Sequence, residues 1–225
     1  MIKQPPELVI FDCDGVLVDS EPISISTLLD FVRDAGVILS PETAYMRFLG
    51  RSMASIGSIL KDEYGVTFTG DLLEEIRRRQ FDRFRNELLP ITGVKAALSG
   101  IRLKKCVASS SQPDRIRLSL ELTGLLEFFG PNIYSSTMVR HGKPAPDLFL
   151  LAALRMGVAP ENVLVIEDSP AGVVAAGKAG MRVFAYAGGS HIEPGGVRKE
   201  LEKLAPEEIF DNMALLPELI AGPGA

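Results

Sequence analysis

The chain reads as α/β: a doubly wound parallel sheet with helices on both faces, interrupted by a run of helices inserted after the first strand. Short continuous apolar runs alternate with amphipathic stretches along most of the sequence. Between residue 22 and about residue 88 that alternation stops, and helical patterns follow one another directly. Acidic or hydroxyl residues, Asp12, Ser109 and Asp168, close three of the apolar runs. That is where parallel sheets bind ligands, beyond the carboxyl ends of their strands.

Leu8-Val9-Ile10-Phe11 is a short apolar run of the kind expected for a strand buried on both faces. The helical patterns that follow cover Ile23–Ala35, Pro41–Leu49, Ala54–Tyr64 and Asp71–Leu88, separated by Gly36-Val37, Gly65-Val66 and the polar Thr67–Gly70 turn. Strand-like runs resume at Lys105–Ser109, Asn132–Ser135, Val163–Glu167 and Arg182–Tyr186, with helices predicted over Pro113–Thr123, Pro146–Met156 and Pro170–Ala179. The division expected is a Rossmann-like core made of residues 1–18 and 89–225, and a helical cap domain over 19–88. Its hinges are expected near Val18–Pro22 and Leu89–Gly93, and the tail from Gly222 reads as loose.

With 225 residues, 46% of them hydrophobic, the chain is long enough for one good core and a small second unit. Its 24 basic and 29 acidic residues form no basic stripe, so nucleic acid is not an expected partner. Arg77-Arg78-Arg79 lies on a helical pattern and reads as a solvated face. Cys13 and Cys106 each sit inside an apolar run, as reduced buried thiols do, and strand alternation points Cys13 away from Asp12 and Asp14. The opening M-I-K-Q-P-P-E has no apolar signal region, and no apolar run nears the roughly 20 residues that span a membrane. A soluble cytoplasmic protein is expected, a monomer or weak homodimer with no membrane partner.

Chemistry concentrates in four segments: F-D-C-D-G-V-L-V-D-S at 11–20, V-A-S-S-S at 107–111, G-K-P at 142–144 and V-I-E-D-S at 165–169. An aspartate is an adequate nucleophile toward phosphorus because it is already ionised at neutral pH. Asp14, two residues beyond Asp12 on an extended chain, returns to the same side and is placed to protonate a leaving alcohol. Gly15 allows a sharp turn and close approach to a phosphate. The aspartates at 12, 14 and 19 could also be plain turn formers, and D-x-D-G occurs in calcium loops. Against the latter, Ile23 stands where such a loop needs its bidentate glutamate. Ser109 closes a strand ahead of a helix, with Ser110 and Ser111 following; hydroxyls and free N–H groups there form an anion site, or only a helix cap. Lys143 lies in a loop whose prolines fix its path, either as surface charge or as part of the site. His141 beside it reads as a loop residue, since Asp14 already fills the acid–base role. Glu167 and Asp168 alternate in direction, so only one points squarely at a metal. Ser169 and Pro170 read as the cap and first residue of the next helix, Gly172 and Gly180 as packing and helix-stop glycines.

Taken together, the four segments resemble the haloacid dehalogenase superfamily, in its capped phosphatase branch, from Leu8 to about Leu219. Within it they look like the 6-phosphogluconate phosphatases and the beta-phosphoglucomutase-like hydrolases. The resemblance implies a magnesium-dependent phosphomonoester hydrolase that acts on a small phosphorylated sugar or sugar acid through an aspartyl-phosphate intermediate. It makes Asp12 the nucleophile and a Mg2+ ligand, and Asp14 the acid–base whose carbonyl also meets the metal. Gly15, Ser109 and Ser110 become phosphoryl contacts, and Lys143 offsets charge on nucleophile and phosphoryl group. Asp168 becomes a direct metal ligand, and Glu167 a ligand directly or through water. Glu21 resembles a hinge residue that meets substrate hydroxyls. Arg51, in the loop Phe48–Ser52, could reach a substrate carboxylate or second phosphate, or lie in solvent. Dehalogenases lack the second aspartate, so Asp14 speaks against that chemistry. Ser24 and Met53 stand where the mutases carry histidine and arginine, which weighs against a sugar-phosphate mutase. A non-catalytic binding protein on the same fold is the other alternative; it would have no use for an acid–base Asp14.

Overall fold

Six strands, β1 (Leu8–Phe11), β2 (Lys104–Ser109), β3 (Ile133–Ser135), β4 (Val163–Glu167), β5 (Arg182–Tyr186) and β6 (Glu208–Phe210), form one parallel sheet. Their order is β3-β2-β1-β4-β5-β6 in the computed structural model, which describes residues 5–49 and 53–222. β1 sits between β2 and β4, with its four residues fully buried, which is why its apolar run is unbroken. Val9 and Phe11 face one layer of the core, Leu8 and Ile10 the other.

Between β1 and β2 the chain forms α1 (Glu21–Asp34), α2 (Pro41–Phe48), α3 (Met53–Tyr64), α4 (Gly70–Glu87) and α5 (Val94–Gly100). The first four lie close to the predicted ranges and bury a cluster of their own, including Leu28, Phe31, Val32, Phe48, Leu60 and Ile76. Local chemistry sets their starts. Ser40 accepts from Thr43 N at 3.2 Å ahead of Pro41, and Thr69 accepts from Leu72 N at 3.4 Å. After α5 come α6 (Pro113–Leu122), α7 (Asp147–Met156), α8 (Pro170–Lys178), α9 (Val197–Leu204) and α10 (Leu216–Ala221). α5, α6 and α10 cover the Phe11 face of the sheet; α7, α8 and α9 cover the Ile10 face.

The segments entering and leaving the inserted helices are paired to each other. Asp19 N donates to Leu89 O at 3.0 Å and Ile91 N to Leu17 O at 2.9 Å, around an antiparallel bridge between Val18 and Pro90. At the far end of α2, Leu49 packs on the Ile10 face of the core. It lies so close to Gly195 that a Cβ there would stand 2.6 Å from Leu49 Cδ2. The insert therefore meets the core both at its connection and across the carboxyl edge of the sheet.

Three readings need correction. The serines at 109–111 do not cap α6: the helix begins at Pro113, as expected, behind Gln112, which makes no side-chain cap. The serine hydroxyls are engaged elsewhere, as described below. The short α5, α9, α10 and β6 fall where no element was expected. Glu21 and Pro22 open α1 two residues early, since Pro suits a first helical turn. Cys13 and Cys106 are buried in opposite layers, as expected. Arg77, Arg78 and Arg79 form an exposed face laced with ion pairs to Glu74, Glu75, Asp82, Asp34 and Asp114. Among the described residues no helix is long and apolar enough to cross a membrane.

Candidate active site

The strand order reverses between β1 and β4, and it is at such a reversal that parallel sheets bind ligands, beyond the carboxyl ends of the strands. Register sets the level: Phe11 pairs with Val107 on one side and Ile166 on the other, and Asp12 N donates to Ile166 O at 3.0 Å. Asp12, Ser109, Glu167 and Asp168 consequently reach the same edge, all buried.

Lys143, from the loop ahead of α7, joins two of these carboxylates. Its Nζ donates to Asp12 Oδ1 at 2.5 Å, to Glu167 Oε1 at 2.6 Å and to Ala108 O at 3.0 Å, which uses all three ammonium protons. Phe149 presents its ring 4.9 Å away. Burial works against the lysine charge, but Asp12 and Glu167 outweigh it and hold its pKa above the usual value. The reading of Lys143 as plain surface charge falls away. Asp12 moves the other way. Burial, opposed by Lys143 and reinforced by Glu167, Asp168 and Asp14, lifts its pKa well above the ordinary range. No described residue donates to its Oδ2.

Asp14 is held by three donors: Ser20 Oγ at 2.6 Å and Arg115 Nη2 at 2.8 Å on Oδ1, and Ser111 Oγ at 2.6 Å on Oδ2. Burial alone would raise its pKa, but Arg115 and the two hydroxyls bring it below the usual carboxylate value. Ser20 precedes α1 without capping it, because its hydroxyl is turned to Asp14. Ser109 is buried and its Oγ accepts from Ser111 N at 3.1 Å, while Ser110 is exposed.

Glu167 departs from the metal-ligand expectation. Besides Lys143, it accepts on Oε2 from Asp168 N, Ser169 N and Ser169 Oγ, each at 2.9 Å. Both oxygens are engaged by the protein, so this side chain fastens Lys143 to the start of α8. Ser169 also caps α8, accepting from Gly172 N at 3.1 Å. Gly172 is indeed a packing glycine, since a Cβ there would stand 1.8 Å from Glu167 Oε1. Asp168 is paired with His191 Nε2 at 2.9 Å. Burial raises the Asp168 pKa despite that partner, and Asp168 raises the pKa of His191 against the effect of its burial. Gly15, with φ of +79°, lies so close that a Cβ would stand 1.8 Å from Asp168 Oδ2.

Glu21, half-buried at the start of α1, stands near the same groups. Burial and the nearby Asp14 push its pKa up to about 7, against Arg115 and His191. His141 stays a loop residue, exposed, with Nδ1 3.1 Å from Asp147 Oδ1. Arg51 lies outside the described residues. Sequence reasoning overlooked Arg115, His191 and Ser20, and read Ser111 only as part of an anion site or a helix cap. A-G-G-S-H directly after β5 was a usable signal for His191, because it too follows a strand's carboxyl end. No local signal marks Arg115.

Among the described residues no group of three or more His, Cys, Asp or Glu side chains stands ready to hold a metal ion. The donor chemistry nevertheless suits a hard divalent cation such as Mg2+. Among the described residues Asp12, Glu167 and Asp168 share Lys143 and His191 as cationic partners, and burial still disfavours the ionised forms of Asp12 and Asp168.

Fold and site define a class: a doubly wound α/β protein with buried carboxylates gathered around Lys143 and His191 at the switch point of its sheet. The chain belongs to the haloacid dehalogenase-like hydrolase family, whose sequence profile matches residues 9–186. It is 35% identical over 189 residues to 6-phosphogluconate phosphatase of Escherichia coli (strain K12), covering 84% of this chain and 86% of that one. It is 32% identical over 218 residues to a phosphorylated carbohydrates phosphatase of Thermotoga maritima, covering 91% and 97% of the two chains. A conserved haloacid dehalogenase-like protein of unknown function from Agrobacterium tumefaciens has the same fold, with a TM-score of 0.85, 36% identity and coverage of 96% of this chain and 97% of that one. The protein is thus an enzyme of the phosphatase branch, a hydrolase of phosphoric monoesters.

Proposed function

We propose that the chain is a magnesium-dependent phosphatase of a small phosphorylated sugar or sugar acid, and that Asp12 carries the phosphoryl group as an aspartyl phosphate. The observation that carries this reading is the setting of Asp12: Oδ1 is fixed by Lys143, and Oδ2 takes no hydrogen bond from the described residues. Oδ2 attacks phosphorus, and Lys143 offsets the charge that accumulates on nucleophile and phosphoryl oxygens. Ser109 and the backbone after it bind a phosphoryl oxygen. Asp14, once it has taken up a proton in the substrate complex, gives that proton to the leaving alcohol, then takes one from the water that hydrolyses the aspartyl phosphate. Magnesium, when bound by Asp12, Asp168 and the Asp14 carbonyl, supplies further positive charge against the phosphoryl oxygens. Residues 19–88 act as a cap that excludes water during transfer and opens for hydrolysis.

The two named phosphatase relatives support a phosphorylated sugar or sugar acid as substrate. Ser24 supports hydrolysis over mutation of the phosphate position: it is bonded to Gln80 and Arg115 and offers no titratable group where a mutase needs one. Asp12→Asn should retain the melting curve and lose phosphate release from a panel of phosphorylated sugars, sugar acids and glycolate. Wild-type turnover in that variant rules out the aspartyl phosphate. Release that survives chelator rules out the metal requirement.

A further inference from the structure

One side chain ties Asp14 to the inserted helices. Arg115, in the first turn of α6, sends Nη2 to Asp14 Oδ1 at 2.8 Å and to Ser24 Oγ of α1 at 3.3 Å. Its Nη1 donates to Gln80 Oε1 of α4 at 3.1 Å. Gln80 closes the ring by donating to Ser24 Oγ at 2.8 Å, and the guanidinium lies 5.1 Å from the ring of Phe84, also on α4. A single planar fork, anchored in the core, thus engages the carboxylate and two inserted helices at once. Lysine, a point donor on a flexible stem, has no geometry for this.

The side chain is largely enclosed, with 19% of its surface exposed, and its Nε is buried without a partner among the described residues. Among the described residues the guanidinium is oriented by the contacts just named. Ser20 and Ser111 also hold Asp14, but neither bonds to α4. If the insert lifts from the core, Arg115 loses Gln80 and Ser24 together, and with them the constraint on how it presents Asp14.

We propose that Arg115 is a positioning residue: it aims Asp14 at the leaving-group oxygen, and does so only while the inserted helices are seated on the core. This rests on the reading of Asp14 as general acid. Small errors of aim are costly, since a displacement of about 1 Å in a reacting group is worth on the order of a hundredfold in rate.

The test compares kcat/KM for phenyl phosphate, whose leaving oxygen needs a proton, with that for 4-nitrophenyl phosphate, which is nearly the same shape and needs little help. Asp14→Asn is the control and should lose far more activity on the phenyl ester. Arg115→Ala should lose at least about tenfold more on phenyl than on nitrophenyl phosphate. Gln80→Ala, which leaves Asp14 and Arg115 in place, should show the same bias more weakly. It decides alone if Arg115→Ala fails to fold. Equal losses on both esters, or a bias toward the nitrophenyl ester, overturn the proposal. An unbiased Asp14→Asn overturns the general-acid reading itself. A biased Asp14→Asn beside unbiased Arg115→Ala and Gln80→Ala overturns only the role of Arg115.

Discussion

Glu167→Gln should destabilise this protein far more than an isosteric change usually does. Glu167 is fully buried, with Lys143 Nζ at 2.6 Å on one oxygen and three donors, Asp168 N, Ser169 N and Ser169 Oγ, at 2.9 Å on the other. Glutamine has one oxygen to offer. Facing it toward the three donors turns the amide NH2 against the Lys143 ammonium; facing it toward Lys143 sets the NH2 against two backbone N–H groups. Either arrangement leaves a buried cation or buried donors unpaired, and breaking one partner of a buried pair costs about 3–5 kcal/mol. That is a large share of the ~5–15 kcal/mol that hold a domain folded. For a chain of this size it corresponds to a fall in Tm of roughly 6–20 °C. Thermal and urea unfolding followed by circular dichroism, with chelator present, measures it. A loss below about 1 kcal/mol would refute the claim that both oxygens are committed to protein donors.

Two glycines on α8 should respond oppositely to alanine. Gly172→Ala places a methyl 1.8 Å from Glu167 Oε1 and should cost about 1–3 kcal/mol or more, whereas Gly177→Ala meets nothing within 4 Å on an exposed helical turn and should gain about 0.5–1 kcal/mol. Urea midpoints of the two variants check both signs. Glu21 should weaken the fold as pH rises. Its folded pKa of about 7 lies above its ordinary 4.5, so the folded state holds a proton the unfolded chain has lost; the contribution is complete below pH 4.5 and disappears through pH 7. Wild type should lose on the order of 2–3 kcal/mol relative to Glu21→Gln between pH 4.5 and 8 in chelator, read as the difference of the two stability curves. The subtraction removes His191, Asp168, Asp14 and Arg115, which act on Glu21 and are common to both proteins. Parallel curves would contradict the burial of Glu21.

The strands were legible because a strand buried on both faces must be a continuous apolar run, and Leu8–Phe11, Cys106–Ala108, Val163–Ile166 and Val183–Tyr186 are such runs. The helices of the insert were legible because caps such as Ser40 and Thr69 and an apolar stripe are written locally. Asp12, Asp14, Glu167 and Asp168 could be singled out because each stands at or just past the end of an apolar run, and Lys143 because prolines fix the path of its loop. What the local pattern could not contain is partnership. That Glu167 would spend both oxygens on the protein, that Asp168 would meet His191, and that Arg115 would join Asp14 to Ser24 and Gln80 all depend on contacts between residues far apart in the chain. Those contacts exist because the strand order brings β1 beside β4 and the paired linkers bring α1 and α4 over α6. Identity and direction of each reactive group follow from neighbours in sequence; its charge state and its aim follow from neighbours in space, where burial and opposing charges decide both.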